Sequence, residues 1–304
     1  LSARINRAIA DNVKIWGSQT VPVVGALTGY DDVALVEAQY MEQDIMSSNR
    51  TLILAPRSYN GMAGNLAQRT LMPRSDKALS TTDLGPIAGF TSFKTSYTPA
   101  VTAQAAAPTV NGAGQTHVPA STTTAATGET QNVDNRTFDL TISSSAGLAA
   151  GDKFTIANVN AISLINKKNT SQLKTFSVVS VVDGTTIRIS PAPVVAGASD
   201  AEDDYANIDA APANGAALVF LNNTATDGNI HFVNDSIEIF GGNLAWDDMA
   251  GVATMRQTTD TGIEIIFAKE GDLATGVASY RLTMFFGTTN LQPEMNGLLI
   301  GGQV

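Results

Sequence analysis

Residues 175–191 read TFSVVSVVDGTTIRISP, and no other stretch restricts the fold as much. Asp-Gly between two β-branched runs is the strongest short hairpin signal, because a two-residue type I′ turn needs positive φ at both central positions. A turn at Asp183-Gly184 pairs Val182 with Thr185, Ser180 with Ile187, Val178 with Ile189 and Phe176 with Pro191. One face then carries Phe176, Val178, Val182, Ile187 and Ile189, and the other carries Ser177, Val179, Arg188 and Ser190. A half-buried hairpin of this kind is marginal alone and needs more strands over its apolar face.

Those strands lie nearby. TFDLTI, DKFTIA and ALVFL are short and bounded by turn residues, and alternation points Phe138, Leu140, Ile142, Phe154 and Ile156 inward. Several short strands with little helix predict a small sandwich or barrel. Before them, residues 98–131 are almost all Ala, Thr, Pro, Gly and Ser, with Glu129 the only acid and no Lys or Arg. Such a segment buries little and reads as a connector and long loop. Residues 199–217 read as an acidic loop.

The flanks differ in kind. Leu1, Ile5, Ile9, Val13 and Trp16 recur at helical spacing, and Gly17 is placed to stop that helix. A second helix is predicted from Asp32 to Met46 with Val33, Val36, Tyr40 and Met41 inward. Leu52 to Ala55 form a short buried strand, SYNGMAGNLAQR a helix and Ile87 to Phe93 another strand. After NIHFVNDSIEIF come two long strands, GIEIIFAKEGD and VASYRLTMFFG. The first places Ile263, Ile265 and Phe267 on one side and Glu264 and Ile266 on the other, as a core or interface strand would. The hairpin therefore belongs to an insertion, about 99–229, inside an α/β host.

Chemistry is sparse. The 304 residues contain no cysteine, which removes disulfides and thiolate sites. His117 and His231, the two histidines, have no carboxylate or second histidine at ligand spacing. The acidic run Asp200, Glu202, Asp203 and Asp204 lacks the alternating calcium-loop pattern and reads as a solvated charge run. No nucleophile elbow or phosphate loop is present. No catalytic, cofactor-binding or metal site is expected, and the chain is read as a non-enzyme. A net charge of −10 argues against a general nucleic-acid binder, and no apolar run approaches a membrane span. The chain starts without Met inside a helix pattern, which reads as truncation or processing.

Order and strings carry a resemblance. NVDNR precedes LAAGDKFTIANV, then TFSVV and VVDGT; LILAPRSY and IFAKEGDLATGVASYRLTMFFGTTNLQPE flank the insertion. Together these are similar to the coat protein of short-tailed, P-twenty-two-like bacteriophages, across essentially the whole chain. The resemblance implies an α+β tailed-phage capsid fold of the Hong Kong ninety-seven type, with an inserted small antiparallel β-barrel. It assigns 1–16 to the end of a spine helix, 17–98 to the first part of an axial domain and 99–229 to the insertion. Residues 230–304 would be the axial return and peripheral sheet. The family's N-terminal arm and extended hairpin loop, which would precede residue 1, are absent from this sequence.

The implied function is a structural subunit of an icosahedral capsid that encloses a packaged genome through pentamers and hexamers. Implied partners are further copies of the chain, a scaffolding protein, portal and decoration proteins, with no specific nucleic-acid recognition and no membrane. The implied location is the virion, with assembly in the bacterial cytoplasm. Two loops would make subunit contacts: one near 120–136, whose charges are Glu129, Asp134 and Arg136, and one near 158–174, carrying Lys167, Lys168 and Lys174. The alternative is a secreted or tail-associated β-rich module binding carbohydrate or protein.

Overall fold

The apolar stripe at the start of the chain forms helix Ser2–Trp16, which buries Ala10 and Val13. Gly17 ends it, donating its N–H to the Val13 carbonyl at 2.8 Å. The computed structural model describes residues 2–45, 48–68, 73–197, 199–242, 253–260, 262–272 and 274–304. Leu1, Met46 and Arg69, assigned to helices from the sequence, lie outside the described residues.

The helix packs on a five-stranded mixed sheet ordered Gln19–Val24, Asn296–Gln303, Asn229–Val233, Arg50–Leu54, Thr91–Lys94. The outer pairs are parallel and the inner pairs antiparallel. Strands buried on both faces explain the near-continuous apolar runs in LILAP and NGLLIG. Leu298 and Ile300 meet Ala10, Val13 and Ile230 on the face under the first helix. Leu299 points the other way, into a core with Val33, Val36, Tyr40, Leu52, Leu54, Tyr59, Met62 and Phe90. Helices Tyr30–Glu42 and Pro56–Ala67 supply Val33, Val36, Tyr40, Tyr59 and Met62 to that core. The second helix stops earlier than expected, and Met41, predicted inward, is half exposed.

The strand expected over 87–93 is shorter. Ile87 and Phe90 pair across a tight turn in which Ala88 and Gly89 have φ of 44° and 78°, and the strand is Thr91–Lys94. Positive φ at both central positions is the type I′ signature, and it falls here instead of at Asp183-Gly184. Helix Pro73–Thr81 was not anticipated, its sequence being polar nearly throughout.

A second five-stranded sheet is antiparallel throughout: Leu218–Phe220, Lys153–Ile162, Asn169–Val181, Thr186–Ser190, Phe138–Thr141. Thr109 bridges Ala217 beside one edge strand, and Val110 bridges Ile142 beside the other. The 109–110 segment thus hydrogen-bonds to both edges. Val110, Leu140, Ile142, Phe154, Ile156, Phe176, Val178, Ile187, Ile189 and Leu218 form a core of their own beneath it. Each such side chain contributes about 1.5–3 kcal/mol when fully buried.

The hairpin register departs from the expectation. Ile187 pairs with Val181 and Arg188 with Ser180, and a bulge then restores Ile189 to Val178. Neither Asp183 nor Gly184 takes a positive φ. The Asp183 carboxylate instead accepts from the Thr185 N–H at 2.8 Å, and the Val182 N–H reaches the Thr186 carbonyl. This side-chain-closed loop is one step wider than a two-residue turn, so Val182 turns out of the core and is 49% exposed. The acidic stretch also holds more order than expected. Ser199 caps helix Asp200–Tyr205 in a capping box with Glu202.

Candidate subunit-contact surfaces

Within the segment read as a loop, Thr122–Thr124 and Thr130–Asn132 pair as a two-stranded ribbon, separate from both larger sheets. Every residue of both strands is exposed. Threonine favours extended backbone, and the turn closes through Gly128 at φ 87° with the Ala125 N–H donating to the Glu129 carbonyl. Glu129 sits at this tip, in solvent.

The base of the ribbon is heavily bonded. Asn135 accepts from the Ala120 N–H and donates to the Ala120 carbonyl, and its Oδ1 lies 2.9 Å from His117 Nε2. Asp134 and Arg136 form a two-pronged ion pair with both bonds at 2.8 Å. Those bonds hold the Asp134 carboxyl below its ordinary range and keep Arg136 charged. The same guanidinium donates to the Asn290 carbonyl at 2.6 Å and Thr289 Oγ1 at 3.2 Å, and lies 5.0 Å from the centre of the Trp16 ring.

The lysines of 158–174 separate into three environments. Lys168 is exposed. Lys167 donates to the carbonyls of Asp204 and Ala206, completing the end of helix Asp200–Tyr205. Lys174 is buried and pairs with Glu294 of the host, with Gln43 at 3.4 Å. Its charge faces the interior of the chain. The loop itself is tied down at Asp44, which accepts from Ser163 Oγ and Asn166 Nδ2.

Lys174 belongs to a seam that sequence reading missed. Lys153 Nζ donates to the Gly17 carbonyl and to Ser177 Oγ, Ser177 Oγ donates to the Ile15 carbonyl, and Thr175 Oγ1 to the Ser18 carbonyl. Burial holds the Lys153 amine well below its ordinary pKa. Ser177, expected on a wettable face, is fully buried here. The only signal was Gly17 as a helix stop; nothing in sequence says which distant side chains satisfy the carbonyls before it.

A family model described as P22 coat protein, gene protein 5, matches residues 1–302. The chain belongs to that family. A solved structure described as the CUS-3 coat protein I-domain is 39% identical to this chain, covering 39% of it and 98% of that structure, with a TM-score of 0.31. The chain is a structural subunit of a phage capsid. The binding-module alternative receives no support from the match.

As a coat protein it shows one further surface. Strands Ala253–Thr258, Glu264–Asp272 and Val277–Met284 form a three-stranded antiparallel sheet. Met255, Phe267 and Leu282 lie directly opposite one another, with Tyr280 on the same face. Met255, Tyr280 and Leu282 are 73%, 62% and 59% exposed. Ile266 and Ala268, on the reverse face, are buried. Among the described residues no cluster of side chains is arranged to hold a metal ion, and no helix is long and apolar enough to cross a membrane.

Proposed function

We propose that this coat protein assembles into pentamers and hexamers of an icosahedral shell with a scaffolding protein, in the host cytoplasm, and then encloses a packaged genome. In this reading residues 1–16 end the spine helix and 17–98 begin the axial domain. Residues 99–229 are the inserted β-barrel, and 230–304 return to the axial domain and supply the peripheral sheet, in a Hong Kong ninety-seven-type fold. The 109–110 segment, bonded to both edges of the second sheet, supports the barrel. The chain acts by contact and not by catalysis, and portal and decoration proteins are further partners.

The observation that carries self-assembly is the uncovered row Met255–Phe267–Leu282 with Tyr280. Contiguous exposed apolar surface marks an interaction site, and repeated modest contacts suffice to close a symmetric shell. The ribbon around Glu129 is the second contact, and Lys168 the exposed charge of the third. Arg136, Asp134, Lys167 and Lys174 act inside the subunit, organising these surfaces.

Expression of the complete gene with its scaffolding protein, followed by electron microscopy, tests the reading. Closed procapsids are expected, and Leu282→Glu should abolish them while leaving a folded subunit. Particles that form normally with Leu282→Glu would remove the apolar row from the assembly surface.

A further inference from the structure

A two-stranded ribbon has no core of its own and is marginal in water. The Thr122–Asn132 ribbon buries none of its strand residues, so its strands cannot fix the direction in which it projects. Direction must come from its base. There, one side chain touches three separate parts of the subunit. Arg136 grips Asp134 at the foot of the ribbon, bonds Asn290 and Thr289 of strand Phe286–Asn290, and stacks over Trp16, the last residue of the first helix.

We propose that Arg136 is a positioning residue that aims the ribbon at a second copy of this chain. The proposal rests on the ribbon being a contact between subunits. In this reading Arg136 works from within the subunit: four of its five N–H donors bond Asp134, Thr289 and Asn290, and its guanidinium lies over the Trp16 ring. Arginine suits this task where lysine does not. Its planar fork holds a carboxylate by two bonds, keeps a further donor for the Asn290 carbonyl, and stacks on an aromatic ring at the same time. The ribbon offers its neighbour mainly unpaired backbone along both outer edges, plus Thr, Gln and Asn side chains and one charge, Glu129. Edge pairing of that kind depends on direction, because backbone donors and acceptors must meet in register. A pre-aimed ribbon loses less freedom on contact than a swinging one.

The absence of cysteine allows labels to be placed cleanly. Spin labels at Asp11→Cys and Thr127→Cys report the distance from helix to ribbon tip. A narrow distribution is expected in the otherwise wild-type chain, and one at least about twofold broader with Arg136→Ala, accompanied by an assembly yield about tenfold lower. Asp134→Asn provides a second variant, since it frees the foot of the ribbon while leaving the bonds of Arg136 to Asn290 and Trp16. It should broaden the distribution with little change in melting temperature. Arg136→Lys should rescue assembly only partly. Replacing 122–132 with a Gly-Ser link tests the underlying contact: normal assembly without the ribbon would refute the contact itself. If ribbon removal blocks assembly while Arg136→Ala and Asp134→Asn assemble normally, or leave the distances narrow, the positioning role is wrong and the contact stands.

Discussion

Lys153 Nζ donates to the carbonyl oxygen of Gly17 at 2.5 Å, joining the first residue of a strand in the second sheet to the end of the N-terminal helix. The last carbonyls of a helix have no partner within it and carry its negative pole. Lys153, Ser177 and Thr175 satisfy three carbonyls around that end, at Gly17, Ile15 and Ser18. The helix terminus is therefore capped by residues more than a hundred positions away.

Removing the cap should be costly. Lys153→Ala leaves a buried carbonyl unpaired and a void where a fully buried side chain stood, and is expected to lower stability by about 2–4 kcal/mol. Lys153→Met fills the space and removes the buried amine, so it should recover part of that loss. Urea midpoints of the three proteins check this, and an Ala variant within about 0.5 kcal/mol of wild type would show the cap to be dispensable.

Glu294 and Lys174 invite a double-mutant cycle. Lys174 is almost wholly buried and Glu294 partly so, and Asn207 also donates to the Glu294 carboxylate. Glu294→Ala strands a buried cation and should cost about 3–5 kcal/mol, whereas Lys174→Met with Glu294→Leu should cost much less. Additive losses would mean that the two side chains do not depend on each other.

The elements that were legible in the sequence are those whose signal is local. The stripe Ile5, Ile9, Val13 and Trp16 predicts its helix, and the alternation through Phe138, Leu140, Ile142, Phe154 and Ile156 predicts strands of the second sheet with nearly the right inward residues. What failed depended on long-range closure. The turn at Asp183-Gly184 fits a type I′ hairpin locally, but the Asp183 side chain closes a wider loop against Thr185. Lys174 looked like a surface charge in a basic loop, because the carboxylate that buries it lies 120 residues later. The bonds of Arg136 inside the subunit were equally hidden, because neither Trp16 nor Asn290 is near it in sequence.

The shifted hairpin register gives a direct comparison. Phe176 and Ile187 are fully buried, and truncating either to Ala should cost about 2–5 kcal/mol. Val182, which a two-residue turn would place in the core, should tolerate Val182→Ser within about 0.5 kcal/mol. A large loss at Val182 would restore the narrower turn.

Acid stability should report on His231. The ring lies within the host sheet, its Nδ1 2.9 Å from the Tyr40 hydroxyl, and burial pushes its pKa down to about 3. Unfolded histidine binds its proton near about 6.5. Between those values the unfolded chain holds more protons, so this group's contribution is intact above about pH 6.5 and is lost as pH falls towards 3. His231→Gln should flatten the decline in unfolding free energy between about pH 7 and 5. An unchanged slope would assign the decline to carboxylates instead.

The second sheet should fold without the host. Its core, from Val110 through Phe154, Phe176 and Ile187 to Leu218, is supplied wholly by residues of 99–229. Its links to the host are mostly polar, through Arg136, Lys153, Lys174, Thr175 and Ser177, and water can take over each hydrogen bond that excision breaks, while Val101, Leu164 and Leu221 also pack against host cores. Excision even relieves two buried lysines of their desolvation. Residues 99–229 expressed alone should therefore give a dispersed amide spectrum and a cooperative thermal transition. In the isolated module Lys153→Ala should be near neutral, whereas in the whole chain it is costly. A collapsed spectrum would mean that the host supplies part of the core. A Lys153 effect of equal size in both proteins would mean that the lysine supports its own sheet and not the helix end at Gly17.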